Sequence, residues 1–334
     1  MNENNREAIS RSGPLAAALF FLILIPLLPV FLLGYVMWVA RFVVGRKSSA
    51  SATAQAPLFA RWVQHHLGAR PDEAASRLWS VAPGAPPLAW RLVAGPLLLA
   101  HRVTGYILKT FRYPFEGEIT IQNQGAARQT FYDRMVHQYL SEMEQFVILG
   151  AGFDTRAINL PKDAKVRCFE IDTPATIAVK REMLTKAGID MSRVALTAAD
   201  FEKENWLVKL IEAGFDPGKP TLFIWEGVTP YLDQAAVEDT LCKIAGTAKG
   251  STVAFDYFTT EVLESAAFMM RFIRASLSAG GEPLKFGIDS TPPSRERLVE
   301  LLQSSGLTLV EQHTLGQETD GKRAWGGFAV AVVK

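Results

Sequence analysis

Two hydrophobic patterns divide this chain. Between Arg11 and Arg41 lie 29 residues without a charge, rich in Leu, Phe, Ile and Val, where about 20 apolar residues suffice for a helix to cross a bilayer. The run predicts an amino-terminal transmembrane helix, kinked at Pro26 and Pro29 as membrane helices tolerate. A re-entrant hairpin is the alternative. The run is long for a buried core helix. It is also long for a signal peptide, and Arg41, Arg46 and Lys47 separate it from the small-residue sites Ala52-Thr-Ala54 and Ala54-Gln-Ala56. Those three basic residues outnumber Arg6 and Arg11 on the other flank, which places the rest of the chain on the cytoplasmic side.

After residue 110 short apolar runs alternate with amphipathic ones. Phe146–Leu149, Val166–Asp172, Val194–Ala199, Pro220–Trp225 and Gly250–Phe258 read as strands, rich in β-branched and aromatic residues. Asp172–Ala187 reads as a helix with Pro174 in its first turn and Gly188 past its end. Asp233–Ala245 starts at an acidic cap and sets Val237, Leu241 and Ile244 on one face. Pro292–Leu302 is a further helix stopped by Gly306, and Leu307–His313 and Trp325–Val333 are two last strands. Alternating strands and helices imply a parallel α/β sheet; the last two strands fit an antiparallel pair at its edge.

Between these regions, Ser48–Pro57 is a Ser/Ala linker, and Arg61–Thr110 reads as helices broken by prolines at Pro83–Pro87. Leu88–Leu108 is apolar but carries Arg91, His101 and Arg102. It is expected either to lie in a membrane interface with its charges snorkelling or to cap a site, and its charges argue against a second span. The expected organisation is an anchor over 1–47, a linker and helical cap or membrane-interface region over 48–110, and an α/β domain over 111–334.

Candidate chemistry collects at the strand ends. The first strand runs into Gly150-Ala151-Gly152, followed by Asp154, and glycines there let the backbone turn sharply and a ligand lie against it. About 20 residues on, Glu170 and Asp172 end the second strand two apart, on one face, where either carboxylate could accept ribose hydroxyl protons; Asp172 is favoured. The third strand ends at Asp200-Phe201 and the fourth at Glu226. Each acid alone is an ordinary solvated strand end, but in an open parallel sheet ligands bind outside the carboxyl ends of the strands, where all of these fall. A dinucleotide fingerprint would need glycine at position 155, which is Thr155, so a nicotinamide cofactor is disfavoured.

The ordered motifs VILGAGFDTR, FEIDTPATIAVKREML, AADFE and WEGVTPYL resemble the leucine carboxyl methyltransferase type of S-adenosylmethionine-dependent O-methyltransferase over roughly residues 110 to 334. The resemblance implies a Rossmann-like, seven-stranded class I methyltransferase sheet, here joined to an amino-terminal transmembrane helix and helical cap. It implies S-adenosylmethionine as cofactor, with Gly150, Ala151 and Gly152 along its methionine part, Asp172 at its ribose, Asp200 and Phe201 at its adenine and Glu226 near its amino group. Arg128 matches an arginine that pairs with the cofactor carboxylate, and Tyr231 matches a tyrosine at the methyl-transfer pocket. The family lysine of the amino-terminal cap has no assignable counterpart; Lys109 matches by position only.

Methyl transfer from a sulfonium needs chiefly alignment and exclusion of water. A carboxylate acceptor is ionised at neutral pH and needs no base. None of the five histidines falls in the four motifs, and His137, nine residues after Arg128, is the only one expected near a pocket. Asp256 and Tyr257 are expected on the acceptor side. With 35 basic and 34 acidic residues, nothing suggests nucleic acid, Cys and His show no metal-ligand spacing, and Cys168 and Cys242 suggest no disulfide framework. The expected partners are a membrane through the amino-terminal helix and a small-molecule or lipid-like acceptor. The alternative is a noncatalytic membrane-anchored cofactor-binding scaffold.

Overall fold

Proline at position 26 divides the apolar amino-terminal run in the computed structural model, which describes residues 13–44, 54–83, 87–279, 281–289, 291, 294–319 and 323–334. In place of one continuous helix, α1 (Pro14–Leu24) and α2 (Leu28–Val44) meet at a 65° bend. Pro26 has no N–H to donate into the helix and its ring crowds the turn before it, while Ile25 itself keeps helical geometry at φ −57° and ψ −51°. The link is closed instead by Leu27 N–H donating to Leu24 O and Leu28 N–H to Ile25 O, each at 3.1 Å. No single helix among the described residues is long and apolar enough to cross a membrane, although the bent pair passes by length and composition. The flanking Arg6, Arg11, Arg46 and Lys47, the Arg41 side chain and most of the Ser48–Pro57 linker lie outside the described residues.

The chain separates into two units, Met1–Phe115 and Glu116–Lys334. In the first, α3 (Gln55–His66), α4 (Glu73–Ser80) and α5 (Pro87–Thr104) follow. Asp72 caps α4, accepting from Ala75 N–H at 2.9 Å. Helix α5 packs against both α1 and α2. At Gly34 the α2 backbone approaches it so closely that a Cβ would lie 2.6 Å from Leu92 Cβ and 2.7 Å from Ala89 O. Trp38, Phe59 and Trp79 join α2, α3 and α4, with Trp38 edge-on to Trp79 at 5.9 Å.

The second unit opens with α6 (Gln124–Tyr139), then β1 (Gln145–Leu149), β2 (Arg167–Asp172), α7 (Pro174–Lys186), β3 (Val194–Ala198), α8 (Trp206–Glu212), β4 (Thr221–Trp225), α9 (Gln234–Ala245) and β5 (Thr252–Phe258). Helices α10 (Thr260–Glu264), α11 (Phe268–Ala279) and α12 (Ser294–Ser304) precede β6 (Leu307–Leu315) and β7 (Gly326–Val333). The seven strands are ordered β3-β2-β1-β4-β5-β7-β6. β1 to β5 are parallel, and β7 runs antiparallel between β5 and β6. This order defines a Rossmann-like class I methyltransferase sheet.

Strands β1 and β4 are buried at every residue, as a parallel strand covered on both faces must be, which is why they read as continuous apolar runs. Their lower ends are held by Gln145, whose side chain donates to Asp216 O at 2.7 Å and Thr221 Oγ1 at 3.1 Å. Asp233 caps α9 as expected, accepting from Ala236 N–H at 2.8 Å, whereas Thr173 rather than Asp172 caps α7. That difference leaves the Asp172 carboxylate at the top of the sheet. Cys168 is buried in β2, where burial pushes its thiol up to about 11, and Cys242 on α9 is exposed.

Candidate functional site

The chain winds outward from β1 through β2 and β3, then returns to β4 on the other side of β1, so a crevice forms above the carboxyl ends of β1 and β4. There Gly150 and Gly152 take left-handed φ values of 66° and 45°. Gly150 and Ala151 N–H groups both donate to Ile171 O, at 2.8 and 3.0 Å. A Cβ on Gly150 would meet Val228 Cγ2 at 2.2 Å, so the turn after β1 and the loop after β4 pack directly on each other.

Asp172 accepts from Gly152 N–H at 2.7 Å and from Thr173 N–H at 2.6 Å. Burial raises its pKa against the lowering effect of those hydrogen bonds. The Thr176 hydroxyl also hydrogen-bonds this carboxylate; with about four lone-pair sites, the carboxylate keeps capacity for a further hydroxyl donor. Glu170 lies elsewhere. It is fully buried and ion-paired with Lys180, which also donates to Asp154 O at 2.9 Å. The expectation that Glu170 competes for a ribose is thereby corrected: the two residues share a strand face, but a lysine from α7 covers Glu170. Burial raises the Glu170 pKa despite that lysine.

Arg128, on α6, faces the end of β4. Its Nε lies 3.1 Å from Glu226 Oε1, and its Nη1 3.7 Å from Asp256 Oδ2. Burial opposes its charge, but Glu226 and Asp256 outweigh burial and hold its pKa above the ordinary value. Gly227, at φ 68°, brings its backbone against this guanidinium; a Cβ would sit 3.2 Å from Nη1. Tyr231 closes a 3-10 turn over Thr229–Tyr231, and its field also acts on Arg128.

Beneath this pair, Arg156 is 3% exposed and gathers three carboxylates. Its Nε donates to Asp133 Oδ1 at 2.7 Å, and its Nη1 to Asp154 Oδ2 and Glu226 Oε2. Its guanidinium also lies over the Tyr132 ring, 5.5 Å from the centroid. Burial works against its charge, and Asp154, Glu226 and Asp133 overcome it, so its pKa stands well above the arginine value. Tyr132 and Gly227 N–H donate to Asp256 Oδ1 at 2.9 and 2.6 Å. Burial, with Asp256 and Glu226 adding, pushes the Tyr132 phenol well up.

The sequence reading missed Arg156, Tyr132 and Asp133. A signal existed for two of them: Arg156 lies within the first glycine motif, and Tyr132 is one helical turn after Arg128. Asp200 is partly exposed, accepting from Lys203 Nζ at 2.7 Å and Glu202 N–H at 3.0 Å. Phe201 is corrected: its ring is 7% exposed and packs in the core beside Trp206, 6.1 Å between centroids, because an aromatic ring gains more from burial than from a solvated strand end. Tyr257 is likewise buried, its phenol accepting from Gln312 at 2.8 Å, and His137 is an exposed residue of α6. The described residues contain no cluster of His, Cys, Asp or Glu able to hold a metal ion.

The donor set suits a zwitterionic nucleoside ligand. Arg128 and Glu226 present opposite charges side by side, Asp172 has acceptor capacity left, and the Gly150 to Gly152 backbone carries no side chain bulkier than the Ala151 methyl. Sheet, glycine turn and acidic strand ends together define a class, the Rossmann-like nucleoside-binding α/β domain.

Within that class, residues 113–245 match the family model described as Leucine carboxyl methyltransferase. A relative in Mycolicibacterium paratuberculosis, provisionally described as an S-adenosyl-L-methionine-dependent methyltransferase, is 35% identical over 186 residues, 54% of this chain and 60% of that protein. One in Mycobacteroides abscessus with the same description is 40% identical over 113 residues, 34% of this chain and 37% of that protein. The chain thus spans at most 60% of the length of these relatives. A crystal structure of a duf574 family protein from Streptomyces avermitilis covers 86% of this chain and all of its own at 14% identity and a TM-score of 0.49.

Proposed function

We propose that this chain is an S-adenosylmethionine-dependent O-methyltransferase that methylates a carboxylate, or a hydroxyl, of a small-molecule, lipid-like or membrane-associated acceptor. The observation that carries this reading is the meeting of Asp172, the Gly150 to Gly152 turn and the Arg128–Glu226 pair above β1, β2 and β4.

When bound, the cofactor supplies an activated methyl group on a sulfonium. Asp172 accepts hydrogen bonds from the ribose hydroxyls. Arg128 pairs with the carboxylate of the methionine portion and Glu226 with its ammonium, each exchanging part of its present partner for a ligand charge. Around Arg128 and Arg156 stand four carboxylates, Asp133, Asp154, Glu226 and Asp256. That excess of negative charge favours a cofactor with a net charge of +1 over its neutral demethylated product, which assists product release. Asp200 at the end of β3 holds the adenine amino group, and Tyr231 lines the acceptor side. An ionised carboxylate acceptor needs no general base, in keeping with the absence of a histidine from the residues gathered here.

The basic flank at Arg41, Arg46 and Lys47 supports a catalytic unit facing the cytoplasm, and an apolar amino-terminal segment would raise the local concentration of a membrane-associated acceptor.

Isothermal titration of the purified full chain with S-adenosylmethionine, its demethylated product and NADH tests the reading. Micromolar binding of the first two, weakened by about 1–3 kcal/mol in Asp172→Ala, supports it. Folded protein that binds neither would overturn it.

A further inference from the structure

Both arms of the broken apolar segment are pinned to the same helical unit. On α1, Phe20 is fully buried, with its ring 5.2 Å from that of Tyr106. Tyr106 in turn lies under the Arg112 guanidinium at 5.7 Å. On α2, Trp38 packs on Phe59 and Trp79, and Gly34 is pressed against Ala89 and Leu92 of α5, next to the exposed Arg91. The midpoint of one arm and the far part of the other therefore lie beside charged residues.

The apex between these pins is uncovered. Leu22, Ile25, Leu33 and Val36 are 68%, 67%, 57% and 62% exposed. Each arm of about 11 residues is about 16 Å long, short of the roughly 30 Å hydrocarbon core. Two such arms bent by 65° make a symmetric V about 9 Å deep, which matches the depth of about 5–10 Å reached by helices in a membrane interface.

Charge identifies the partner. Residues 1–115 hold 12 Lys or Arg and 4 Asp or Glu, a formal +8, whereas residues 116–334 hold 23 and 30, a formal −7. The basic excess thus sits on the apolar unit. On α5, Arg91 and Arg102 are both exposed and 11 residues apart, which places them on one face, beside the exposed Leu88 and Leu99. An apolar surface edged by arginines fits an anionic lipid leaflet; a protein groove would not require that basic surplus.

We propose that residues 14–38 enter one leaflet of an anionic bilayer as a re-entrant wedge and return to the side they came from, with Arg91 and Arg102 at the phosphate level. Where the chain enters the membrane is independent of whether it transfers methyl groups, so the test reads topology alone. Reporter cysteines Ser12→Cys and Ser48→Cys are introduced together into a full chain carrying Cys168→Ala and Cys242→Ser, with folding checked by circular dichroism. The protein is reconstituted in phosphatidylglycerol/phosphatidylethanolamine vesicles, treated with a membrane-impermeant maleimide and weighed by mass spectrometry. The wedge gives molecules with two labels or none. A population with one label means a bilayer span and overturns the proposal, as does failure to float with the vesicles. In the parent chain, Arg91→Glu with Arg102→Glu is expected to weaken partition into phosphatidylglycerol vesicles at least tenfold and leave phosphatidylcholine partition unchanged. Equal loss in both would overturn the phosphate-level placement.

Discussion

Arg156 and Glu226, 70 residues apart in the chain, meet through Nη1 and Oε2 at 2.5 Å. Through this contact the turn after β1 fixes the carboxylate after β4 that Arg128 also holds, so three elements share one charge arrangement. Removing Arg156 would leave Asp154 and Glu226 buried without their strongest counter-charge. Such a loss costs about 3–5 kcal/mol. Arg156→Ala is expected to unfold at markedly lower urea, and Arg156→Lys to recover part of the stability but little cofactor affinity, since a lysine cannot reach three carboxylates in a planar fork. Equilibrium denaturation and titration of both variants check this.

Asp172 gives the site a pH dependence. Burial raises its pKa above the ordinary aspartate range, and a ribose requires its ionised form as acceptor. Cofactor affinity should therefore fall as pH drops through that raised pKa, while Asp172→Asn stays weak and flat over the same window. The sign for stability is opposite. A carboxyl whose folded pKa is raised binds more protons folded than unfolded, so its contribution to stability is lost as pH rises from the unfolded to the folded pKa. Parallel titrations of affinity and urea midpoint should diverge in direction.

The turn at Gly150 predicts coupling to Val228. Gly150→Ala meets the 2.2 Å clash and the cost of a left-handed φ, about 1–2 kcal/mol. Val228→Ala relieves only the clash. The double variant should therefore be less destabilised than the sum of the singles, with about the conformational cost left over. A double-mutant cycle in urea measures it, and simple additivity would contradict the packing described.

The Lys180–Glu170 pair is wholly buried. Lys180→Met alone should cost about 3–5 kcal/mol by stranding a carboxylate, whereas Lys180→Met with Glu170→Leu should regain most of it. If the double variant is as unstable as the single, the pair has a role beyond mutual neutralisation.

The strands were readable because each buried parallel strand is a short apolar run, and the acids at their ends because a loop follows. Phe146 to Leu149 and Thr221 to Trp225 illustrate both. Which acid faces a ligand was not readable. Glu170 and Asp172 are equivalent by strand geometry, and a lysine from the next helix decides between them. Phe201 misled for the related reason that a ring at a strand end can turn inward. Arg156 escaped because its partners Asp133 and Glu226 are distant in sequence. The break in the apolar amino-terminal segment was visible only as two prolines; their effect depended on Leu27 and Leu28 finding acceptors three residues back.

The contrast between the two cysteines has a practical consequence. Burial holds the Cys168 thiol at about 11, while Cys242 stands in solvent. At neutral pH an intact molecule should take up one equivalent of a water-soluble alkylating agent and a denatured one two. The chain thereby carries its own stoichiometric gauge of integrity. The arrival of the second adduct, followed by mass spectrometry, would time the opening of β2, the strand that presents Asp172.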